Sequence, residues 1–326
     1  MKRIAACLIV GFGLTTLAYA VQPAAAGATL AATVSHRVIA PRVAALKDAF
    51  GTQAAEWDKG CQDPELLRAS YQKAADAWAQ VEFFRAGPLS KQTRAERIDY
   101  WPDPRNATAK GLKALLEVPE APSVKIISEA SVAAQGLPAI ERLLYAEGEA
   151  PKVIGEKACA VGRSIAHNLA SLALTLDAEW SDAATGELHR LDGLTANDAK
   201  ASEAAVAILT DLATGIRVIE ERKVPPLLGH NPKAAKSWRS GRSIRDIEQN
   251  LDALDKAYTQ IAAYAPQAAA SVKEKLHEAA LALKASEDAN RAIAIQAGIN
   301  NARYYASDVL PGEIGVTLGF NSLDGD

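Results

Sequence analysis

Ile154, Ala158, Val161, Ile165, Leu169, Leu172 and Leu176 follow one another at intervals of three or four residues. Such spacing lines up one face of a helix and gives a strand no consistent inner side. It returns in Leu67, Tyr71, Ala74, Trp78 and Val81, in Val206, Leu209, Leu212, Ile216 and Ile219, and in Ile244, Ile247, Leu251, Leu254, Tyr258 and Ile261. No sustained alternation of period two interrupts it, so the chain is predicted to be all-α. Pro64 is expected to open one helix and Pro151 another. Further helices are expected over 34–50, 109–116, 124–145, 267–284 and 287–309. Pro41 should bend the first of these, and Pro225 with Pro226 should end the helix through 206–219.

The periodicity lapses over 180–198, which contains Gly186, Gly193 and the polar run 195–198. A chain of 326 residues can hold two units. The lapse is read as the boundary between an N-terminal helical half, 27–180, and a C-terminal one, 181–326. His189 and Asp192 fall here at helical ligand spacing, but the stretch is weakly helical and no metal site is expected.

The first 26 residues read as a signal peptide. Lys2 and Arg3 precede an apolar run over 4–17, and small-residue cleavage sites follow at 18–20 and 24–26. The run is short for a membrane span, and no later segment is long enough to replace it. The mature chain is expected to be periplasmic, with an outer-membrane association allowed. A net charge of −3 offers no nucleic-acid footprint. Beyond Cys7 in the leader, the cysteines are Cys61 and Cys159. An even pair in an oxidising compartment favours a disulfide, which would join the starts of two helices.

Three segments hold the candidate site residues. Residues 135–145 place Gly136 and Pro138 in what reads as one amphipathic helix, with Glu141 a turn beyond the proline. A kink at Pro138 would free the carbonyl of Ala134 beside the Glu141 carboxylate. Arg85, the next position on the stripe through Trp78 and Val81, is the expected partner of Glu141. The segment 97–106 packs Asp99 and Trp101 among two prolines, too much aromatic bulk for a solvated loop. In 236–243, Trp238 and Arg239 precede a helix that Ser243 and Asp246 are expected to cap. Trp78 to Pro88 and Trp238 to Ser243 each set a tryptophan, an arginine and a glycine near a helix end, a pattern suggestive of internal duplication.

In this order the signal peptide, Trp78 with 84–88, 97–102, 136–145, 238–240 and the closing residues 319–326 resemble the imelysin family, also called peptidase M75. The resemblance covers nearly the whole mature chain. It implies two four-helix bundles related by duplication, with a site between them, in periplasmic or outer-membrane-associated proteins linked to iron uptake or regulation. Some members are described as metallopeptidases, and the signature Gly-x-His-x-x-Glu is taken to supply metal ligands. Gly136 and Glu141 match that signature, whereas Pro138 stands at the histidine position and has no donor atom.

The reading that follows is a periplasmic binding protein with a polar site formed by Arg85, Asp99, Trp101, Pro138, Glu141, Trp238, Arg239 and Ser243. Its ligand is a small polar molecule or a metal ion, iron or calcium, for which Glu141 is the candidate ligand. Envelope proteins are possible partners. The alternative is a non-catalytic scaffold or adhesion module. Metallopeptidase activity is disfavoured, because none of the five histidines forms a His-x-x-x-His pair and no catalytic residue is assigned.

Overall fold

The computed structural model describes residues 23–145, 155–195, 199–229, 232–285 and 289–318. Residues 1–22, which fall in the expected signal peptide, the expected helix start at Pro151 with Ile154, residues 196–198 and the tail from 319 lie outside these. Among the described residues the fold is entirely helical, with no strand. None of its helices is long and apolar enough to cross a membrane.

The chain opens with α1 (Pro23–Val34) and α2 (Ala40–Asp58), joined without interruption by a π-helical turn at Ser35–Ile39. Pro41 therefore sits in the first turn of α2, directly after the wide turn. The same device recurs where α10 (Ala199–Val218) passes through Ile219–Lys223 into α11 (Val224–Leu228). It appears again where α14 (Ala289–Tyr304) passes through Tyr305–Val309 into α15 (Leu310–Ile314). Each π turn is followed by a proline in the first turn of the next helix. Proline lacks an amide proton and crowds the carbonyl four residues back, and a widened turn accommodates both. Pro225 and Pro226 thus lie in the first turn of α11, and the helical path continues past the point where these prolines are expected to end it.

Asp63 accepts from the backbone N–H groups of Glu65 and Leu66 and starts α3 (Pro64–Ala79) with Pro64 in its first turn. Short helices follow: α4 (Arg94–Ile98), α5 (Ala107–Glu117), α6 (Val124–Glu129) and α7 (Leu137–Leu144). The long α8 (Glu156–Ser181) precedes α9 (Glu187–Asp192), and α12 (Ser243–Ile261) and α13 (Pro266–Lys284) complete the set.

Packing follows the apolar stripes. Helix α2 lies between α3 and α8, α1 packs on α10 and α12, and α13 pairs with α14. Phe50 and Trp57 on α2 and Ile165 and Leu169 on α8 are fully buried. Gly162 admits the Trp57 ring, since a Cβ there would lie 2.2 Å from it. Cys61 and Cys159 form a disulfide across 98 residues and join the α2–α3 turn to the first turn of α8. A closure of that length contributes on the order of 2–5 kcal/mol. The stretch read as a boundary carries α9, which packs on α8 and α1, and His36 bonds Asp192 at 2.9 Å.

Candidate functional site

Four stretches far apart in sequence meet around one cavity of about 480 Å³. They are the middle of α3, the loop over 99–108, the first turns of α7, and the segment 233–246 leading into α12. Of the sequence-predicted site residues, Asp99, Trp101, Pro138, Glu141, Trp238 and Arg239 line it together. Arg85 and Ser243 do not.

The helix expected over 124–145 is in fact α6, a 3-10 turn at Val132–Ala134, and α7. Gly136 is the residue before α7 and Pro138 lies in its first turn, where an amide proton is not needed. Proline therefore starts a helix here rather than kinking one, and it frees no carbonyl at Ala134. Gly136 is required by contact: a Cβ would fall 2.1 Å from the carbonyl oxygen of Ile98 and 2.5 Å from that of Arg97. The buried Gln135 side chain holds the break. Its amide donates to the carbonyl of Ala130 at 2.7 Å, and its Oε1 accepts from Arg97 at 2.8 Å.

This start to α7 aims Glu141 inward, where it is 5 % exposed. Ser240 donates to Glu141 Oε1 twice, from its backbone N–H at 3.0 Å and its hydroxyl at 2.6 Å. Burial raises the pKa of Glu141, while the Ser240 bonds oppose that rise. Two donors on one oxygen suit an ionised carboxylate. The expected pairing with Arg85 does not occur. Helix α3 ends at Ala79, so the stripe stops before it reaches Arg85, which pairs with Glu96 at 3.0 Å. Arg85 lines a neighbouring cleft of about 280 Å³ with Arg222 and Thr214.

Ser240 is held by a turn that sequence reasoning did not foresee. Ser237 and Gly241 adopt left-handed backbone conformations there. Buried Arg242 donates to Asp246 at 2.7 Å, to Asp76 at 2.8 Å and to the Gln72 carbonyl at 2.9 Å, tying α12 to α3. Asp246 also accepts from Ser237 at 2.8 Å, which anchors the turn. Ser243 is not a cap: it is the first residue of α12 after Arg242, and its hydroxyl donates to the Lys236 carbonyl at 2.6 Å. The Arg242 and Asp246 pair, four apart at a helix start, was the one signal of this anchor legible in sequence.

A buried ion network forms the wall between the cavity and the cleft. Lys236 and Lys223 both bond Glu82, and Lys236 also pairs with Asp99 at 2.6 Å. Asn250 accepts from Lys223 at 2.6 Å and donates to Glu82 at 2.8 Å. Burial pushes Glu82 up, but the two lysines outweigh it and hold this carboxyl well below the usual range. Burial lowers Lys223, whereas the added partner Asp99 leaves Lys236 raised despite its burial. Asp99 Oδ2 accepts from the Trp78 indole at 2.7 Å, and the Trp101–Pro102 peptide bond beside it is cis. The Trp238 ring lies 4.3 Å from the Arg239 guanidinium and 5.3 Å from the Lys233 ammonium.

The donor set does not fit a metal ion. Among the described residues no three His, Cys, Asp or Glu side chains are grouped to hold one. Asp99, Asp103 and Asp246 are engaged respectively by Lys236, by the α5 N-terminus and by Arg242. Within this lining Glu141 is a hydrogen-bond acceptor fixed by Ser240.

Behind the cleft, Asp211 on α10 accepts from the backbone N–H of Ala86 and holds the 83–87 turn against that helix. Burial pushes its carboxyl up to about 7, against the opposing pull of the Ala86 bond. The folded value exceeds the unfolded one, so the native chain retains a proton that the unfolded chain releases. The associated stability is full below about pH 4 and is lost as pH rises through about 7. Asp211→Asn is expected to match wild type near pH 4 and to exceed it by on the order of 2–4 kcal/mol at pH 8. Urea denaturation of both proteins across that range checks this, and a difference independent of pH would contradict it.

The chain matches the imelysin family, peptidase M75, over residues 29–306. Its fold is similar to that of an imelysin-like protein from Psychrobacter arcticum 273-4, at 20 % identity and a TM-score of 0.76, covering 91 % of this chain and 98 % of that one. A protein from Parabacteroides distasonis ATCC 8503, assigned as an iron-regulated protein A precursor, is similar at 15 % identity and a TM-score of 0.68. There the coverage is 92 % of this chain and 95 % of the other. At these identities the likeness shows the fold. No curated protein matches.

Proposed function

The chain belongs to the imelysin family, and on that premise we propose that it is a periplasmic binding protein that takes a small polar ligand in the cavity around Glu141. The carrying observation is a nearly buried carboxylate, fixed through one oxygen by Ser240, in a cavity walled by Trp101 and Trp238. Mostly apolar walls with a few fixed polar groups are the usual make-up of a small-molecule site. The expected leader would deliver the chain to the periplasm. The cavity would lie between the halves 27–180 and 181–326, since both contribute to its lining.

The Parabacteroides relative, assigned as iron-regulated, supports a place for this chain in iron acquisition or its regulation. The cavity's ligand is then an organic molecule, because the donor set does not suit a metal. Binding is favoured over peptide hydrolysis because Pro138 offers no donor where the family signature has histidine.

Titration of intrinsic tryptophan fluorescence tests this reading, using amino acids, dicarboxylates and sugars on the mature protein. At least one class is expected to change the emission saturably. Trp238→Ala should weaken that binding roughly tenfold, whereas Tyr304→Ala, at an exposed position on α14, should not. Silence toward every class, or equal loss in both variants, would overturn the cavity as the binding site.

A further inference from the structure

We propose that the cavity recognises the protonated amine of a small zwitterionic ligand of the amino-acid class, with Glu141 Oε2 as the acceptor. This rests on the reading of the cavity as a binding site and adds the chemistry of its ligand.

The inference comes from accounting for acceptors. Both Ser240 donors go to Glu141 Oε1, and among the described residues Oε2 receives no hydrogen bond and Glu141 makes no ion pair. Asp99 pairs with Lys236. Asp103 accepts from Ala107 and Thr108, and Asp246 from Ser237 and Arg242. Glu141 is therefore the lining carboxylate with no ion pair and no hydrogen-bonded cation among the described residues, and Arg239 acts on it only through its charge. A buried carboxylate left so is unfavourable, and a cation brought by a ligand relieves it.

An ammonium group suits this position better than a metal ion. A metal needs several further oxygen or nitrogen donors converging beside Oε2, and among the described residues no three His, Cys, Asp or Glu side chains are grouped to hold one. An ammonium needs one strong acceptor and gains from aromatic surface. Tyr100 and Trp101 supply that surface in the same cavity. Arg142, Lys233 and Arg239 also line it, so a carboxylate on the same molecule meets positive charge. A molecule carrying both groups answers both halves of the lining. Ser240 is a positioning residue, holding the carboxylate through Oε1 and leaving Oε2 for the ligand.

The test is calorimetric titration of the full mature protein with glycine, leucine, tryptophan, glutamate and lysine, each beside its N-acetyl form and its amide. Free amino acids of at least one kind are expected to bind, and acetylation of the α-amine should weaken binding at least about tenfold. Amidation should weaken it less. Glu141→Gln, which keeps the shape and removes the charge, should abolish the preference for the free amine. If that variant fails to fold, the comparison of free and acetylated compounds on wild type still decides. Equal binding of acetylated and free forms would overturn the inference and leave the cavity a binding site for other chemistry. Failure of every amino compound would overturn it too. If dicarboxylates and sugars also fail, the binding reading falls with it.

Discussion

Glu82→Gln is expected to lower the stability of the protein by about 3–5 kcal/mol. Glu82, Lys223, Lys236 and Asp99 are all nearly buried and form a charge-balanced set of two carboxylates and two ammonium groups. Removing one carboxylate leaves two buried lysines facing one aspartate. Lys236 retains Asp99, so the uncompensated charge falls on Lys223, whose remaining hydrogen-bond partner among the described residues is Asn250. Breaking a buried pair on one side is far more harmful than replacing both members, because the survivor keeps its desolvation penalty. Glu82→Gln with Lys223→Met should therefore be more stable than Glu82→Gln alone. Urea denaturation of the three proteins measures this. A single-variant loss below about 1 kcal/mol would show that the network is open to water rather than sealed.

Gly136→Ala should be nearly as severe, at about 3 kcal/mol or more, and should disturb the cavity as well. Its Cβ would press on the carbonyl oxygens of Ile98 and Arg97. Backbone atoms cannot rotate away as a flexible side chain does, so α7 or the end of α4 must shift. Glu141 sits on α7, and its bonds to Ser240 would shift with it. Two other glycines serve as controls. Gly51 lies within α2 with nothing within 4 Å of a Cβ, so Gly51→Ala should stabilise by about 0.5–1 kcal/mol. Gly241 has open space but a φ of +68°, so Gly241→Ala should cost about 1–2 kcal/mol through conformation alone. Thermal melts that ranked these three alike would contradict the contact argument.

Much of the fold was legible because helix periodicity is a local signal. Stripes such as Ile247, Leu251, Leu254 and Tyr258 are buried as their spacing implied. Errors arose where that signal was carried past a helix end. Arg85 continues the α3 stripe on paper, but α3 stops at Ala79 and the chain turns. Gly136 and Pro138 were read as damage to a helix interior, whereas together they mark a helix start. Pro225 and Pro226 were read as a stop because a π turn leaves no composition signature. At the cavity, aromatic and polar residues in loops pointed to Asp99, Trp101, Trp238 and Arg239. Ser240 and the Glu82 network were missed because their partners lie some 100 or more residues away, as with Ser240 and Glu141 at a separation of 99. No spacing rule reaches that far.

The most direct measurement is a crystal structure of the mature protein grown with the compound that binds most tightly in the titrations. The expected result is a ligand in the cavity lined by Trp101 and Trp238, with one of its donors within hydrogen-bond distance of Glu141 Oε2. A ligand seated instead in the cleft beside Arg85 and Arg222, or a metal ion coordinated by Glu141, would contradict it.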